Sequence, residues 1–218
     1  MRGRLVTIEG LDGTGKTTLA AGIVEALRAG GVAAELLREP GGVELSERVR
    51  DLVKDPALRV DARAEALLYA AARAQLVAER VEPLLAAGTW VLLDRFLDSS
   101  LAYQGGGRDL GVEAVRAINL FGTGGLTPDR TLLLRADAST RADRQDARGE
   151  APDRLEREDA AFFERVARAY DELAAAEPER IVVLDATGAP EAVLADALAA
   201  LADLGDPEAG ERRSSAHR

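Results

Sequence analysis

The chain reads as a single α/β domain over residues 1–204, built on a parallel five-stranded sheet covered by helices on both faces. Three observations predict this. Short β-rich runs are apolar at successive positions, as strands buried on both faces require. These runs alternate from end to end with longer Ala/Leu/Arg/Glu segments of helical period, the pattern of βα units. The first run leads straight into a glycine-rich loop that carries a lysine, "GLDGTGKTT" (Gly10–Thr18), and helical periodicity starts again behind it.

Taken in order, "RLVTIE" (Arg4–Glu9) is the first strand and Lys16–Ala29 an amphipathic helix stopped by Gly30 and Gly31. "AAELLRE" is a second strand, followed by a helix through "VELSERVRDLV". One long helix is expected through "ARAEALLYAAARAQLVAERVEPLLAA", ending at Gly88. "WVLLD" (Trp90–Asp94), "RTLLLR" (Arg130–Arg135) and "RIVVLDA" (Arg180–Ala186) complete the strands. Helices fill "VEAVRAINLFG", "LEREDAAFFERVARAYDELAAA" and "APEAVLADALAAL". Residues 205–218, "GDPEAGERRSSAHR", form a polar tail expected to be disordered.

Composition narrows the chemistry. The 218 residues are 47% hydrophobic and 30% charged, ordinary values for a globular chain. With no cysteine there is no disulfide framework, thiolate nucleophile or cysteine metal site, and a reducing compartment suits the chain. The balance of 28 Lys+Arg against 38 Asp+Glu gives a net charge of −10. Without a basic tract, no nucleic-acid partner is expected. An anionic ligand would have to be met by a local concentration of cations. The single histidine, His217, lies in the tail, so histidine acid/base chemistry is not expected. No run has the length of a signal core or membrane span, and the expected location is the cytoplasm without membrane partners.

The lysine loop carries the sharpest signal. Gly10, Gly15, Lys16 and Thr17 fit G-x-x-x-x-G-K-[ST], between a strand and a helix as the phosphate-binding loop requires. Backbone poor in side chains wraps phosphate with its N–H groups, and the helix start adds partial positive charge. Gly10, Leu11, Asp12, Gly13, Thr14, Gly15, Lys16, Thr17 and Thr18 are therefore the expected ATP cradle. Lys16 reaches the outer phosphates as a catalytic cation, and the Thr17 hydroxyl is suited to a Mg²⁺ shell.

Three further clusters lie at or beyond strand ends: "REPGG" (Arg38–Gly42), "DRFLDSSLAYQGGGR" (Asp94–Arg108) and "RADRQDARGEAPDRLE" (Arg141–Glu156). Together with the loop, over about residues 4–203, they resemble the bacterial thymidylate kinases of the P-loop nucleoside monophosphate kinase group. The resemblance implies the reaction ATP + dTMP → ADP + dTDP, Mg²⁺ with ATP, and a homodimer. It implies that Arg95 grips the acceptor phosphate, a bidentate task suited to arginine, and that Asp94 stands near the metal. It makes residues 141–156 a lid whose arginines, Arg144 and Arg148 with Arg154, close over the phosphates. Because Gly13 and Thr14 hold positions where some relatives place an arginine, Arg148 is expected to act catalytically from the lid. Tyr69 and Arg73 share a helical face four residues apart. By resemblance Tyr69 stacks on thymine while Arg73 donates to a base carbonyl. Ser100 and Gln104 address the base edge, and Ser99 belongs to the same acceptor wall. Tyr103 lies against the deoxyribose and Asp12 approaches its 3′-hydroxyl. Glu39 and Arg50 line the acceptor side. Val43 departs from the threonine usual after "EPGG" in relatives.

Two other functions compete. A GTP-dependent switch would need N-K-x-D, which the chain lacks. A kinase for another nucleoside monophosphate or for a deoxynucleoside shares the scaffold. A nucleoside hydroxyl as acceptor would want a carboxylate base, for which Glu39 is available.

Overall fold

The computed structural model describes residues 2–149 and 152–205, except for the side chain of Arg148. Five strands, β1 (Leu5–Glu9), β2 (Ala34–Arg38), β3 (Trp90–Asp94), β4 (Arg130–Arg135) and β5 (Ile181–Asp185), form one sheet in the order β2-β3-β1-β4-β5. Every pair is parallel, as the apolar runs predict. β1 is central, with Ile8 beside Asp94 of β3 and Glu9 beside Leu133 of β4. The loop after β1 therefore opens between the ends of its two neighbours, where ligands bind in open α/β sheets.

Successive strand residues feed two cores, since side chains alternate across a sheet. Leu5, Val91, Leu93 and Leu133 pack on one face with Leu76, Phe162 and Tyr170. Val6, Ile8, Leu92, Leu132 and Leu134 pack on the other with Leu19, Ile23 and Ala197. The helices that supply these partners are α1 (Lys16–Ala29), α3 (Ala62–Leu76), α8 (Ala160–Ala176) and α9 (Pro190–Leu201).

The predicted long helix is α3, a π-turn over Val77–Val81, and α4 (Glu82–Ala86). Three differences from expectation bear on the site. The helix expected from Leu155 begins only at Ala160, because the Asp159 side chain accepts the N–H of Phe162 at 2.8 Å and caps it there. Residues 138–148 form a helix, α7 (Ala138–Arg148), that periodicity does not reveal because it has no apolar stripe. Its ends are set by Asp137, which accepts the Thr140 N–H at 2.7 Å, and by Gly149 at φ 66°. The stretch after β3 is also helical: α5 (Leu97–Ser100) runs into a π-turn over Leu101–Gly107. A Cβ on Gly107 would stand 2.7 Å from Phe162 and Val166, so glycine here serves close packing against α8. Gly205 ends a 3₁₀ turn, Ala202–Gly205, that continues α9, while the rest of the expected tail lies outside the described residues.

Candidate active site

A cleft of about 1020 Å³ runs along the carboxyl ends of the strands, and most of the predicted residues line it; Gly10 and Leu11 do not, and the side chain of Arg148 is not described. At its donor end the loop after β1 turns through Gly10, Gly13 and Gly15, whose φ values of 134°, 81° and 91° suit glycine alone. Gly15 is the N-cap of α1 and makes no side-chain cap, so the first N–H groups of that helix are left for a ligand. Lys16, 7% exposed, donates to the Leu11 carbonyl at 2.8 Å and lies 3.9 Å from Asp12. Burial, and next the charge of Arg95, lower its pKa from 10.5 to about 8. The Thr17 hydroxyl donates to Asp94 Oδ2 at 2.6 Å, which brings the two expected metal ligands together.

Arg95 follows Asp94 with φ 72°, an uncommon backbone for a residue with a side chain. Its guanidinium bonds the Gly10 carbonyl and Ser99 Oγ, each at 3.1 Å, and Asp12 Oδ1 at 2.7 Å. The Tyr103 ring lies beneath it, 5.1 Å from ring centre to guanidinium carbon. Arg95 thus stands between the phosphate loop and the acceptor wall. Behind it Ser99 donates to buried Glu9 at 2.5 Å, and Tyr170 donates to the same carboxylate at 3.0 Å. Burial, then repulsion from Asp98, raise the Glu9 pKa to about 7.

At the acceptor end Tyr69 and Arg73 line the cleft from α3, as their spacing predicts. Arg73 is 1% exposed and heavily engaged. It pairs with Glu39 at 2.6 Å, donates to Ser100 Oγ and the Phe96 carbonyl at 2.9 Å each, and contacts Asn119. A base carbonyl would therefore be bound in exchange for one of these partners. Glu39 Oε1 is buried without a partner among the described residues, and burial raises the pKa of this carboxyl despite Arg73. Arg50 donates to the Pro40 carbonyl at 2.9 Å from α2 (Glu44–Lys54). Val43 is the N-cap of α2 and offers no cap of its own. Glu47 accepts the Gly42 N–H at 2.8 Å instead, while Val43 packs on the apolar core.

Helix α7, which opens the segment expected to be a lid, lies on the loop after β1. A Cβ on Gly13 would stand 2.5 Å from the Arg141 carbonyl. Arg144 bridges the Thr14 carbonyl at 3.3 Å and the Ala186 carbonyl at 3.0 Å. Arg148, expected to be catalytic, has its side chain outside the described residues. Arg154 faces away from the donor end: it bonds Glu65 at 2.6 Å and the Val53 carbonyl at 2.9 Å. Glu65, Arg108 and Asn119 are participants that sequence reasoning missed. The available signal was that Glu65 lies four residues before Tyr69 and eight before Arg73, on the same helical face.

A family model described as thymidylate kinase matches residues 8–197. Among curated relatives, a thymidylate kinase of Rhizorhabdus wittichii is 49% identical over 206 residues, covering 94% of this chain and 99% of the relative. One of Deinococcus radiodurans is 47% identical over 204 residues, covering 94% and 98%. One of Lactobacillus delbrueckii is 47% identical over 191 residues, covering 86% and 90%. With a glycine-rich loop, oriented arginines and helix α7 already placed around one cleft, this likeness along nearly the whole length leads to one conclusion: the chain belongs to the thymidylate kinase family.

Proposed function

We propose that residues 1–204 act as one kinase domain that moves the γ-phosphoryl group of ATP onto the phosphate of dTMP, giving ADP and dTDP. The observation that carries the reading is the station of Arg95. Its guanidinium is fixed to Gly10 of the donor loop and to Asp12 and Ser99, within the same cleft that Tyr69 and Arg73 line. A cation held there touches the phosphate of an acceptor and faces the phosphoryl group in transit.

The attacking atom is an oxygen of a phosphate monoester, already anionic near neutral pH, so no general base is needed. This fits a cleft whose described lining holds no histidine. The pairing of Glu39, the base considered above for a nucleoside acceptor, with Arg73 favours dTMP as well. What the protein supplies is alignment and charge. The loop N–H groups and Lys16 hold the donor phosphates, Arg144 and Arg148 cover them, and Arg95 with Arg50 orients the acceptor phosphate. Tyr69 stacks on the base, Arg73, Ser100 and Gln104 read its edge, and Tyr103 with Asp12 confines the deoxyribose. The lid of about residues 141–156 excludes water that would otherwise hydrolyse ATP.

A hydroxyl and a carboxylate oxygen 2.6 Å apart, Thr17 and Asp94, are hard oxygen donors of the kind Mg²⁺ takes. No cluster of three or more His, Cys, Asp or Glu among the described residues forms a protein cage. Mg²⁺ would therefore share these two groups with water and phosphate oxygens, and when bound it offsets charge on the donor phosphates. No helix among the described residues is long and apolar enough to cross a membrane, and the cytoplasmic location proposed here rests on the cysteine-free composition. A homodimer is supported by Phe121 at 90% exposure on α6 (Val112–Gly122) and Leu67 at 57% on the adjoining α3.

Coupled ADP release with dTMP, dUMP, CMP and thymidine as acceptors tests the reading. Turnover is expected with dTMP. Turnover of thymidine without dTMP would overturn it.

A further inference from the structure

Glu65 stands one helical turn before Tyr69 and is completely buried. A carboxylate taken out of water needs its hydrogen bonds from the protein. Glu65 Oε1 accepts Nε2 of Gln104 at 2.9 Å and Nε of Arg108 at 3.2 Å. Its Oε2 accepts Nη2 of Arg108 at 3.0 Å and Nη2 of Arg154 at 2.6 Å. A carboxylate between two guanidinium groups offers only lone pairs. It therefore dictates that the amino end of the Gln104 amide turns toward it. Gln104 lines the cleft, and its carbonyl oxygen is the group left for a ligand.

An acceptor in that place suits a pyrimidine whose N3 carries hydrogen, as in thymine and uracil. In cytosine N3 is itself an acceptor, so two lone pairs would face each other. We propose that Glu65 is a positioning residue for base selection, fixing the Gln104 amide so that the cleft takes N3–H pyrimidine monophosphates and rejects cytidine-type ones. The same carboxylate also anchors the segment that carries Arg154. Arg154 also donates its backbone N–H to the Lys54 carbonyl at 3.2 Å, and Lys54 pairs with Asp153 at 2.9 Å. Residues 153–156 are thereby seated on the end of α2, where Asp153, Leu155 and Glu156 line the cleft. This inference rests on the pyrimidine-monophosphate reading above.

Glu65→Gln is the informative variant. A nitrogen in place of Oε2 would face two arginine Nη2 groups. In place of Oε1 it would face Arg108 Nε and Gln104, and Gln104 can turn over to relieve the clash. The flipped amide then presents its amino group to the base. Dissociation constants of dUMP and dCMP, measured by titration calorimetry, are compared for wild type, Glu65→Gln and Arg154→Ala. The wild type is expected to prefer dUMP. In Glu65→Gln that preference is expected to fall on the order of tenfold to a hundredfold, the cost of one reversed hydrogen bond in a buried site. Arg154→Ala leaves the Gln104–Glu65 bond in place and is expected to keep the wild-type ratio. An unchanged ratio in Glu65→Gln, or the same change in both variants, overturns the proposal. Should Glu65→Gln fail to fold, Gln104→Met removes the acceptor while leaving the carboxylate between its arginines, and a preserved ratio there overturns the proposal equally. Wild-type protein that binds neither dTMP nor dUMP would refute the acceptor reading and this inference with it. Binding of dTMP with an unmoved ratio in Glu65→Gln would sink the inference alone.

Discussion

Lys16 gives the most direct test of how the donor end works. Burial and the charge of Arg95 bring its pKa from 10.5 to about 8, although Asp12, Asp94 and Glu9 pull the other way. A triphosphate needs the ammonium form, so its apparent affinity scales with the protonated fraction of the empty protein. With a pKa of about 8 that fraction is about 0.8 at pH 7.5 and about 0.03 at pH 9.5, so ATP affinity should weaken about 25-fold across the interval. An ordinary lysine at 10.5 would give a change of about 10% over the same range. The sign is fixed: bound phosphate raises the pKa again, so ATP binding near pH 8.5 takes up protons. Titration calorimetry at constant ionic strength, in two buffers of different ionisation enthalpy, measures both the affinity and the uptake. Lys16→Arg keeps a cation that does not titrate in this range and should flatten the profile. A flat wild-type profile, or the same slope in Lys16→Arg, would refute the assignment of the effect to this side chain.

Three stability measurements probe the frame behind the site. Arg180 holds Asp98, 1% exposed, by two bonds of 2.7 and 2.9 Å, so Arg180→Leu strands a buried carboxylate beside Glu9. Urea denaturation should show a loss of about 3–5 kcal/mol, and adding Asp98→Asn should recover most of it. Gly107→Ala inserts a methyl group 2.7 Å from Phe162 and Val166 and should lower stability by about 1–3 kcal/mol, whereas Gly188→Ala, which meets open space, should leave it unchanged. Glu9, with its pKa raised to about 7 by burial and then Asp98, holds a proton in the fold that the unfolded chain has already lost. Its contribution is therefore complete below about pH 4.5 and declines as pH rises through 7, by an amount on the order of 3 kcal/mol. Glu9→Gln should remove that slope from a pH series of denaturation midpoints, and an unaltered slope would refute the account.

The parts that were legible from sequence are those whose determinants are local. The bounds of α1, β4 and α6 coincide with expectation because an apolar pattern and its breakers lie within each segment. The strand–loop–helix setting of Gly10–Lys16 was legible for the same reason, its residues being consecutive. Helix α7 escaped because exposure removes the periodic stripe, leaving only Asp137 and Gly149 as signals at its ends. The helical stretch after β3 escaped because Gly105–Gly107 suggest a loop, whereas they answer to the close approach of α8 and α6. The links of Glu65 to Gln104, Arg108 and Arg154 span 39, 43 and 89 residues, and no local pattern encodes such distances.

The long-range links explain how a chain of net charge −10 keeps a cleft for two anions. On the acceptor side four arginines have a carboxylate at their back, Arg95 with Asp12, Arg73 with Glu39, and Arg154 and Arg108 sharing Glu65, while Arg50 rests on the Pro40 carbonyl. Such backing removes net charge but fixes the guanidinium plane before a ligand arrives, and fixed dipoles lose nothing to reorganisation during transfer. The donor end is built otherwise. Lys16 and Arg144 rest chiefly on backbone carbonyls, those of Leu11, Thr14 and Ala186, which orient a cation without cancelling its charge. The asymmetry follows the ligands: a triphosphate demands charge, whereas a monophosphate and a flat base demand orientation. Part of the acidic complement thus belongs to the site, since Asp12, Glu39 and Glu65 aim its guanidinium groups.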